Sequence, residues 1–339
     1  MSGTNKIKWG VIGSGGIARR RTIPEGFVPA SNARLTTVYG TNRATNHEVA
    51  QQFGATAADS LEALLAADID AVYIGSPVQP HEAQVLACAT AGKHVLCEKP
   101  LGRTVAEAEA MLAACNKAGI QLGTAFMMRF HSQHQEAAKM IQAGRIGKPV
   151  YARAQLSFWY PPIKDAFRQD PALGGGGSLI DTGNHCIDLL ELFFGPVKAV
   201  SCFTHSTVHS YASEDSAVAL LQFANGALGT VDVFFCIQDA GSKNALELHG
   251  SKGSIMATGT IGQGSQGEMT AYLPTDDLKE IKITPKPQNT YRAEIEAFSA
   301  ALLAGTPNPL PAELGLRSQK IIAACYESAK TGQAMEIEK

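Results

Sequence analysis

The chain has few of the features that would suit it to nucleic acid, a membrane or an oxidising compartment. Its formal net charge is -2, and its basic residues are scattered apart from Arg19-Arg20-Arg21, so no basic surface is predicted. No window holds about 18 consecutive apolar residues, and the N-terminus lacks the charged head and apolar stretch of a secretion signal. The seven cysteines are odd in number and never spaced C-x-x-C, as is typical of reduced, packed thiols. We therefore expect a cytoplasmic protein with no nucleic-acid or membrane partner.

A recognisable metal-ligand set is also missing. His131 and His134 are close in sequence, but no cluster of cysteines or carboxylates completes a set of four ligands. We expect both histidines to lie on the surface of a helix, and we expect no metal site.

The order of apolar segments predicts two domains. A single core seldom grows much beyond roughly 250 residues, and this chain has 339. Short strand-helix units recur up to about residue 125, which is typical of a doubly wound parallel sheet in an α/β domain over 1–125. Long alternating segments then predict an α+β domain over 126–290 with a large, mostly antiparallel open sheet. Residues 291–339 are predicted to form helices that pack back on the first domain.

The first strand runs directly into a glycine-rich turn that fits G-x-G-x-x-A. A dinucleotide needs a tight turn here, a backbone that can approach its pyrophosphate, and a helix N-terminus that faces the anion. An ordinary glycine-rich strand-helix turn is the alternative, but the position between the first strand and the first helix favours the cofactor. The candidate cofactor-binding residues are Gly13, Gly15, Gly16, Ile17 and Ala18.

The second strand ends in a loop without an acidic residue. A carboxylate at this place would accept a hydrogen bond from the ribose 2′-OH and would repel a 2′-phosphate. The loop instead offers a hydroxyl and a guanidinium, which favours NADP(H) over NAD(H). The candidates are Gly40, Thr41 and Arg43, although Arg43 could equally be a solvated residue at the start of the next helix.

The run His94–Cys97 has the unbroken apolar character of a buried parallel strand, and it stops at Glu98-Lys99-Pro100. Ligands of open α/β sheets bind beyond the carboxyl ends of the strands, so Lys99 is expected to point toward a cofactor or substrate. A surface salt bridge between Glu98 and Lys99 is the alternative. Ser76-Pro77 follows the fourth strand in the same way, so we expect both loops on the cofactor edge.

A glycine loop at 174–177 becomes an amphipathic helix that carries Asp181 and His185. Residues four apart share one helical face. A histidine held by a carboxylate and facing a crevice is a ready general base, whereas an exposed pair or a satisfied core histidine is the alternative.

Together, the glycine turn, the Ala91–Pro100 run and the D-x-G-x-H-x-x-D segment resemble the Gfo/Idh/MocA family of nicotinamide-dependent oxidoreductases over nearly the whole chain. The resemblance implies an N-terminal Rossmann domain and a C-terminal domain whose open sheet forms homodimers or homotetramers. It also implies hydride transfer to or from a hydroxyl or carbonyl of a sugar, anhydrosugar or polyol.

Residue roles follow from the same resemblance. His185 exchanges the hydroxyl proton, Lys99 hydrogen-bonds the reacting oxygen and shares the proton transfer, and Asp181 positions the substrate or the imidazole. Pro77 and His81 match the fourth-strand loop of the family. The candidate substrate contacts are Arg129, Tyr160, Arg168 and Asn184, although Met127 stands where family members often carry an asparagine near that arginine.

Two other functional classes stay open at this point. One is a redox-assisted glycosidase or lyase that retains its NAD(P) through each turnover. The other is a cofactor-binding regulator without catalysis, against which the presence of both Lys99 and His185 argues.

Overall fold

The computed structural model describes residues 6–274 and 279–338. Two compact units emerge, one made of Met1–Met127 with Asn289–Leu316 and the other of Met128–Gln288 with Arg317–Lys339. No helix among the described residues is long and apolar enough to span a membrane. All seven cysteines are free thiols and six are buried, so they act as packing residues, while a cytoplasmic location stays a prediction.

The first unit is built on six parallel strands in the order β3-β2-β1-β4-β5-β6. This arrangement confirms the predicted doubly wound sheet. Strand β4 is buried along its whole length and β5 over its apolar centre, which explains their unbroken apolar runs. The strands are β1 Ile7–Ile12, β2 Ala33–Tyr39, β3 Thr56–Ala57, β4 Ala71–Ile74, β5 His94–Glu98 and β6 Leu122–Ala125.

Helices connect these strands, and three of them begin at conventional capping residues. The side chains of Asn42, Ser60 and Thr104 each accept a hydrogen bond from a backbone N–H in the first turn of the helix that follows. The first crossover helix, Ala18–Phe27, is wound as a π-helix. The α-helices of this part are α1 Arg43–Phe53, α2 Leu61–Ala66, α3 His81–Thr90 and α4 Val105–Ala118.

The second unit contains a nine-stranded sheet in the order β14-β13-β12-β11-β7-β10-β9-β8-β15. Among the strands of this sheet that the structure describes, only β7 and β10 pair in parallel, which confirms the prediction of a mostly antiparallel sheet. Strands β12 to β15 were not predicted from the sequence. The strands are β7 Pro149–Ser157, β8 Val197–His205, β9 Ser216–Phe223, β10 Leu228–Phe234, β11 Ala245–Gly250, β12 Ser254–Thr258, β13 Glu268–Leu273, β14 Lys279–Lys282 and β15 Met335–Glu336.

The second unit contains the helices α5 Ser132–Gln142, α6 Pro171–Gly174 and α7 Asn184–Phe194, and a π-helical turn over Leu179–Gly183 leads directly into α7. Helix α7 and the turn before it pack on the sheet of the second unit, and α5 packs on α7. Short 3-10 turns occur at Met127–Phe130, Phe167–Gln169 and Asp239–Gly241. Helix α7 packs on β7, and nine of its eleven residues are buried.

The two closing helices are α8 Thr290–Ala304 and α9 Ala312–Thr331. We expected all of 291–339 to pack on the first domain, but 317–339 belong to the second unit. Arg317 Nε donates to Glu191 Oε1 at 3.2 Å, and Ser328 Oγ accepts from the Cys202 N–H at 3.0 Å. Strand β15 also pairs with β8, so the end of the chain is fixed to the second sheet.

The expectation that His131 and His134 lie on a helix surface was wrong, because both are buried. The Nδ1 atom of His134 lies 2.9 Å from the Met128 carbonyl oxygen, and the two imidazole rings lie 4.7 Å apart. Burial lowers the pKa of His134 to about 3, so its ring is neutral. Within 6–274 and 279–338, no group of three or more His, Cys, Asp or Glu side chains is placed to hold a metal ion.

Candidate active site

The carboxyl ends of the parallel strands lie level with one another. Ile12 pairs with Tyr39 on one side and with Ile74 on the other, and Ile74 pairs with Cys97. Strand order reverses between β1 and β4, which is where open α/β sheets bind their ligands. The residues that follow these pairs form one row along the edge: Gly13, Gly40, Gly75 and Glu98.

The glycine turn has the shape that a dinucleotide requires. Gly13 has a φ of +84°, and a Cβ there would collide with the Ser76 backbone nitrogen, so only glycine fits. A Cβ on Gly15, in contrast, would meet no protein atom within 4 Å, which leaves room for a pyrophosphate. Ile17 immediately precedes the crossover helix, and Ala18 packs inside. The residues present therefore fit a dinucleotide cofactor.

His81 joins the loop after β4 to the loop after β5. Its Nε2 lies 3.1 Å from the Ser76 carbonyl oxygen, while its Nδ1 lies 3.1 Å from that of Pro100 and 3.2 Å from that of Leu101. Burial lowers the pKa of the imidazole, although these carbonyl contacts oppose the shift. Pro77, in the loop after β4, is exposed. His81 thus fixes the loop that carries Lys99, and a direct contact with the cofactor stays a prediction.

Glu98 is bound to the sheet beneath it. The Tyr73 hydroxyl donates to Glu98 Oε1 at 2.6 Å, and the Lys99 N–H donates to Glu98 Oε2 at 3.2 Å. The hydroxyls of Tyr73 and Thr22 lie 2.9 Å apart, which extends the network into the core. Glu98 and Lys99 are both partly buried, and the Lys99–Pro100 bond is cis. The loop is therefore partly withdrawn from solvent, and the role of Lys99 stays a prediction.

A second carboxyl group lies in this polar core. Glu294 of α8 is 1% exposed, and burial together with the charge of Glu98 raises its pKa well above the ordinary value. Burial and the nearby charge thus both favour the neutral form of Glu294. Neither Tyr73 nor Glu294 was anticipated, because Tyr73 belongs to an apolar strand run and Glu294 to a helix with charged neighbours. No local pattern in the sequence signals that these groups surround Glu98.

The loop after β2 is exposed and carries no acid. Asn42 caps α1, and Arg43 is the first residue of that helix, as the alternative interpretation had it. Its Nη2 lies 3.5 Å from Asp59 Oδ1, but both side chains are about three-quarters exposed, at 76% and 75%, so the pair is weak. Thr41 is also exposed. Contact of Thr41 and Arg43 with a 2′-phosphate stays a prediction.

In the second unit, Asp181 is bound to an arginine. Arg168 Nε lies 2.9 Å from Asp181 Oδ2, and the Asp181 side chain is 10% exposed. Burial disfavours the charge of Arg168, but Asp181, and after it the Tyr160 hydroxyl, raises the pKa of the guanidinium. The structure thus brings Tyr160, Arg168 and Asp181 together. His185 is buried in the first turn of α7, and a contact between Asp181 and His185 stays a prediction.

The two other predicted substrate residues are engaged within the protein. Arg129 donates from Nε to both Asp188 oxygens at 2.9 and 2.8 Å, and its Nη2 lies 2.7 Å from Oδ1. Asn184 accepts from the Ser318 hydroxyl at 2.8 Å, and its amide donates to the Ile180 carbonyl at 3.3 Å. These bonds fasten α7 to its surroundings, and a substrate contact by either residue stays a prediction.

A Rossmann-type sheet with an open glycine turn, followed by a second domain on a large mixed sheet, defines a class of dinucleotide-dependent oxidoreductases. The chain belongs to the Gfo/Idh/MocA family of that class. Residues 7–126 match the oxidoreductase family with an NAD-binding Rossmann fold, and residues 134–256 match the GFO/IDH/MocA C-terminal domain. The resemblance inferred from the motifs is thereby confirmed.

Characterised relatives include enzymes that act on sugars. The chain is 30% identical to 1,5-anhydro-D-fructose reductase of Ensifer adhaerens over 98% of both chains. It is 32% identical to D-xylose 1-dehydrogenase (NADP(+)) 2 of Haloferax volcanii, over 98% of this chain and all of that one. The crystal structure of aldose-aldose oxidoreductase from Caulobacter crescentus, complexed with glycerol, superposes with a TM-score of 0.89 at 25% identity, covering 98% of this chain and 100% of that chain.

The fit of the glycine turn can be tested by Gly15→Ala. Because the new methyl group enters space that the pyrophosphate needs, we expect dinucleotide affinity to fall by about tenfold or more with an unchanged unfolding midpoint. Isothermal titration with NADP(H) and NAD(H), together with thermal unfolding, measures both. Gly241→Ala is the matched control, since a Cβ there also meets nothing within 4 Å but lies in the second unit. Unchanged affinity in Gly15→Ala would contradict the assignment.

Proposed function

We propose that the protein is an NADP(H)-preferring dehydrogenase or reductase that acts on a CH–OH group of a neutral sugar, anhydrosugar or polyol. The pairing of Arg168 with Asp181 is the observation that carries the proposal. An anionic substrate requires an arginine with spare charge, but Arg168 is neutralised by Asp181 and Arg129 by Asp188. A substrate carboxylate or phosphate would displace a partner and leave that carboxylate buried and unpaired, which is strongly unfavourable.

A neutral polyhydroxylated ring suits the same residues. Neighbouring hydroxyls both donate and accept, and the Tyr160 hydroxyl, the Arg168 guanidinium and the Asp181 carboxylate together offer both functions. The names of the relatives favour this class, since one is a reductase of 1,5-anhydro-D-fructose and another a dehydrogenase of D-xylose. The segment Tyr160-Pro161-Pro162, with Arg168 and the absence of an acid after β2, resembles the NADPH-dependent 1,5-anhydro-D-fructose reductases.

In the proposed reaction a bound nicotinamide supplies the hydride acceptor or donor. His185 removes the hydroxyl proton in oxidation and returns it in reduction. Lys99 donates a hydrogen bond to the reacting oxygen, where negative charge develops. Asp181 and Arg168 hold adjacent hydroxyl groups in place.

A substrate screen tests this proposal. Anhydrosugars, aldoses, inositols, uronic acids and nitrophenyl glycosides are offered with NADP(H) or NAD(H), and absorbance at ~340 nm follows the cofactor. We expect stoichiometric cofactor conversion with at least one neutral sugar or polyol and little or none with uronic acids. Lys99→Met and His185→Ala are expected to lower kcat by roughly 10²- to 10⁴-fold with nearly unchanged cofactor affinity.

The screen also identifies the competing activities. Release of nitrophenol at constant absorbance of the cofactor would indicate a redox-assisted glycosidase that reoxidises its nicotinamide within each turnover. Preference for uronic acids would contradict the charge argument. Near-native turnover in either variant would contradict the role assigned to that residue.

The NADP(H) preference is supported by the acid-free loop after β2, and Gly40→Asp tests it. The new carboxylate would repel a 2′-phosphate and accept from a 2′-OH, so we expect the ratio of kcat/KM for NADP(H) over NAD(H) to fall by about tenfold or more. A Cβ at Gly40 would meet Ser14 Oγ, so Gly40→Ala is the control that separates this contact from the charge. A wild-type enzyme that prefers NAD(H) would overturn the proposal.

The open face of the second sheet supports self-association into dimers or tetramers. Four large side chains on this face are exposed: Phe203 by 76%, Leu220 and Leu228 by 56% each, and Tyr272 by 37%. The cross-strand pairs place them on the same side as Arg153, which binds Asp232 at 2.8 Å and Glu247 at 3.1 Å. An apolar face of this kind around a charged centre is typical of an interface between identical chains.

Leu220→Glu tests this interface. The buried charge would have no partner at a symmetric contact, so we expect the variant to sediment as a monomer where the wild type sediments as two or four chains. Leu303→Glu is the control, because Leu303 is 40% exposed on α8 of the first unit. Sedimentation velocity measures both variants, and a monomeric wild type would contradict the proposal.

A further inference from the structure

Glu214 binds the backbone of the glycine loop that leads to Asp181. Its Oε2 accepts from the Gly177 N–H at 2.9 Å, and its Oε1 accepts from the Leu179 N–H at 2.9 Å. The Ser178 N–H donates to the main-chain oxygen of Glu214 at 3.1 Å. Tyr326 of α9 donates its hydroxyl to Glu214 Oε1 at 2.9 Å. One residue therefore accepts from three successive backbone N–H groups at the start of the segment that carries Asp181.

The loop has no room to move toward these groups. A Cβ on Gly177 would overlap the Glu214 carbonyl oxygen, and a Cβ on Gly176 would overlap the Tyr326 hydroxyl. The glycine loop thus lies in direct contact with both residues. Burial raises the pKa of Glu214, while the N–H groups and the Tyr326 hydroxyl oppose the shift by favouring the carboxylate.

The next residue, Asp215, binds a different loop in the same manner. Its carboxylate accepts from the N–H groups of Thr207, Val208 and His209 at 2.8 Å each. Burial opposes ionisation of Asp215, but these hydrogen bonds and one from the Ser216 hydroxyl lower its pKa to about 2. The side chain is therefore anionic throughout the physiological range.

The loop that Asp215 holds supports the segment containing Tyr160. The His209 ring packs edge-on against Trp159 at 4.8 Å between centroids. The Tyr211 hydroxyl donates to the Tyr160 carbonyl oxygen at 3.3 Å. Two acids that are adjacent in sequence, immediately before β9, thereby hold both segments that surround Arg168.

We propose that Glu214 and Asp215 are positioning residues for the substrate: Glu214 sets the place of Asp181, and Asp215 sets the place of Tyr160. Neither residue has a role toward the reacting atoms. The proposal rests on the proposed sugar oxidoreductase function for its kinetic consequences, but its structural content concerns the second unit alone. Both oxygens of a carboxylate accept hydrogen bonds from backbone N–H groups. In a glutamine or asparagine one of these oxygens becomes an NH2 group, which cannot accept and would face a backbone N–H.

The first test uses Glu214→Gln and Asp215→Asn and needs no substrate. Hydrogen–deuterium exchange of the whole protein should show exchange about tenfold faster or more at 177–183 in Glu214→Gln and at 207–209 in Asp215→Asn. Glu191→Gln is the matched control, because Glu191 also accepts a backbone N–H, from Val197 at 2.7 Å, and a side-chain donor, from Arg317. Unchanged exchange in both segments would overturn the proposal.

The second test is a double-mutant cycle on kcat/KM for the sugar found in the screen. We expect Glu214→Gln to lower kcat/KM by roughly 10- to 100-fold in the wild type but by less than about threefold in an Asp181→Asn background, because its effect passes through Asp181. Asp215→Asn should couple in the same way to Tyr160→Phe, mainly through KM. Cofactor affinity should not change in either variant.

Additive effects in both cycles would show that the two acids serve stability alone and would overturn the proposal. The same conclusion would follow if Glu214→Gln lowered kcat/KM equally in every background and the variant showed no cooperative unfolding transition. If the wild type turns over no sugar, the proposed function fails, whereas the exchange experiment still decides whether Glu214 and Asp215 hold their segments.

Discussion

Strands β2, β1, β4 and β5 end level with one another because Ile12, Tyr39, Ile74 and Cys97 are matched in a parallel register. That register is the constraint on which the cofactor edge depends. A shift of one residue would move each strand's side chains to the opposite face and would also separate the loops that follow. The contact between Gly13 and the Ser76 backbone shows how close these loops come, since not even a methyl group fits between them.

Polar groups at the cofactor edge and in the second unit are held by partners from other segments of the chain. Glu98 is bound by Tyr73, Asp181 by Arg168, and Arg129 by Asp188. Burial of each charge or hydroxyl would be unfavourable if the group had no partner. In each case a partner compensates the free-energy cost of burial. For Glu294, burial and the charge of Glu98 raise the pKa and so favour the neutral carboxyl group.

This dependence on distant partners explains what the sequence could and could not predict. The parallel strands were predictable because burial on both faces leaves an unbroken apolar run, and the glycine turn was predictable because its backbone geometry excludes other residues. Lys99 was placed correctly at a strand end for the same local reasons. Burial of His134 was not predictable, because a polar residue on a helix gives no sign of the element that covers it. Strands β12 to β15 were missed because each is short, with two to six residues, and so gives little periodic signal.

If the proposed function holds, the pairing of Arg168 with Asp181 limits how the substrate range of this protein can change. The cofactor edge is shaped largely by backbone groups and by the missing side chains of its glycines. In the second unit, the Asp181 side chain is 10% exposed and paired with Arg168, so replacement of the arginine would leave that carboxylate without its charged partner. Loss of Arg168 alone would therefore damage the fold around Asp181 before it altered specificity. Under the proposed function, a change from a neutral to an anionic substrate would require Asp181 and Arg168 to change together, with the loops held by Glu214 and Asp215 unchanged.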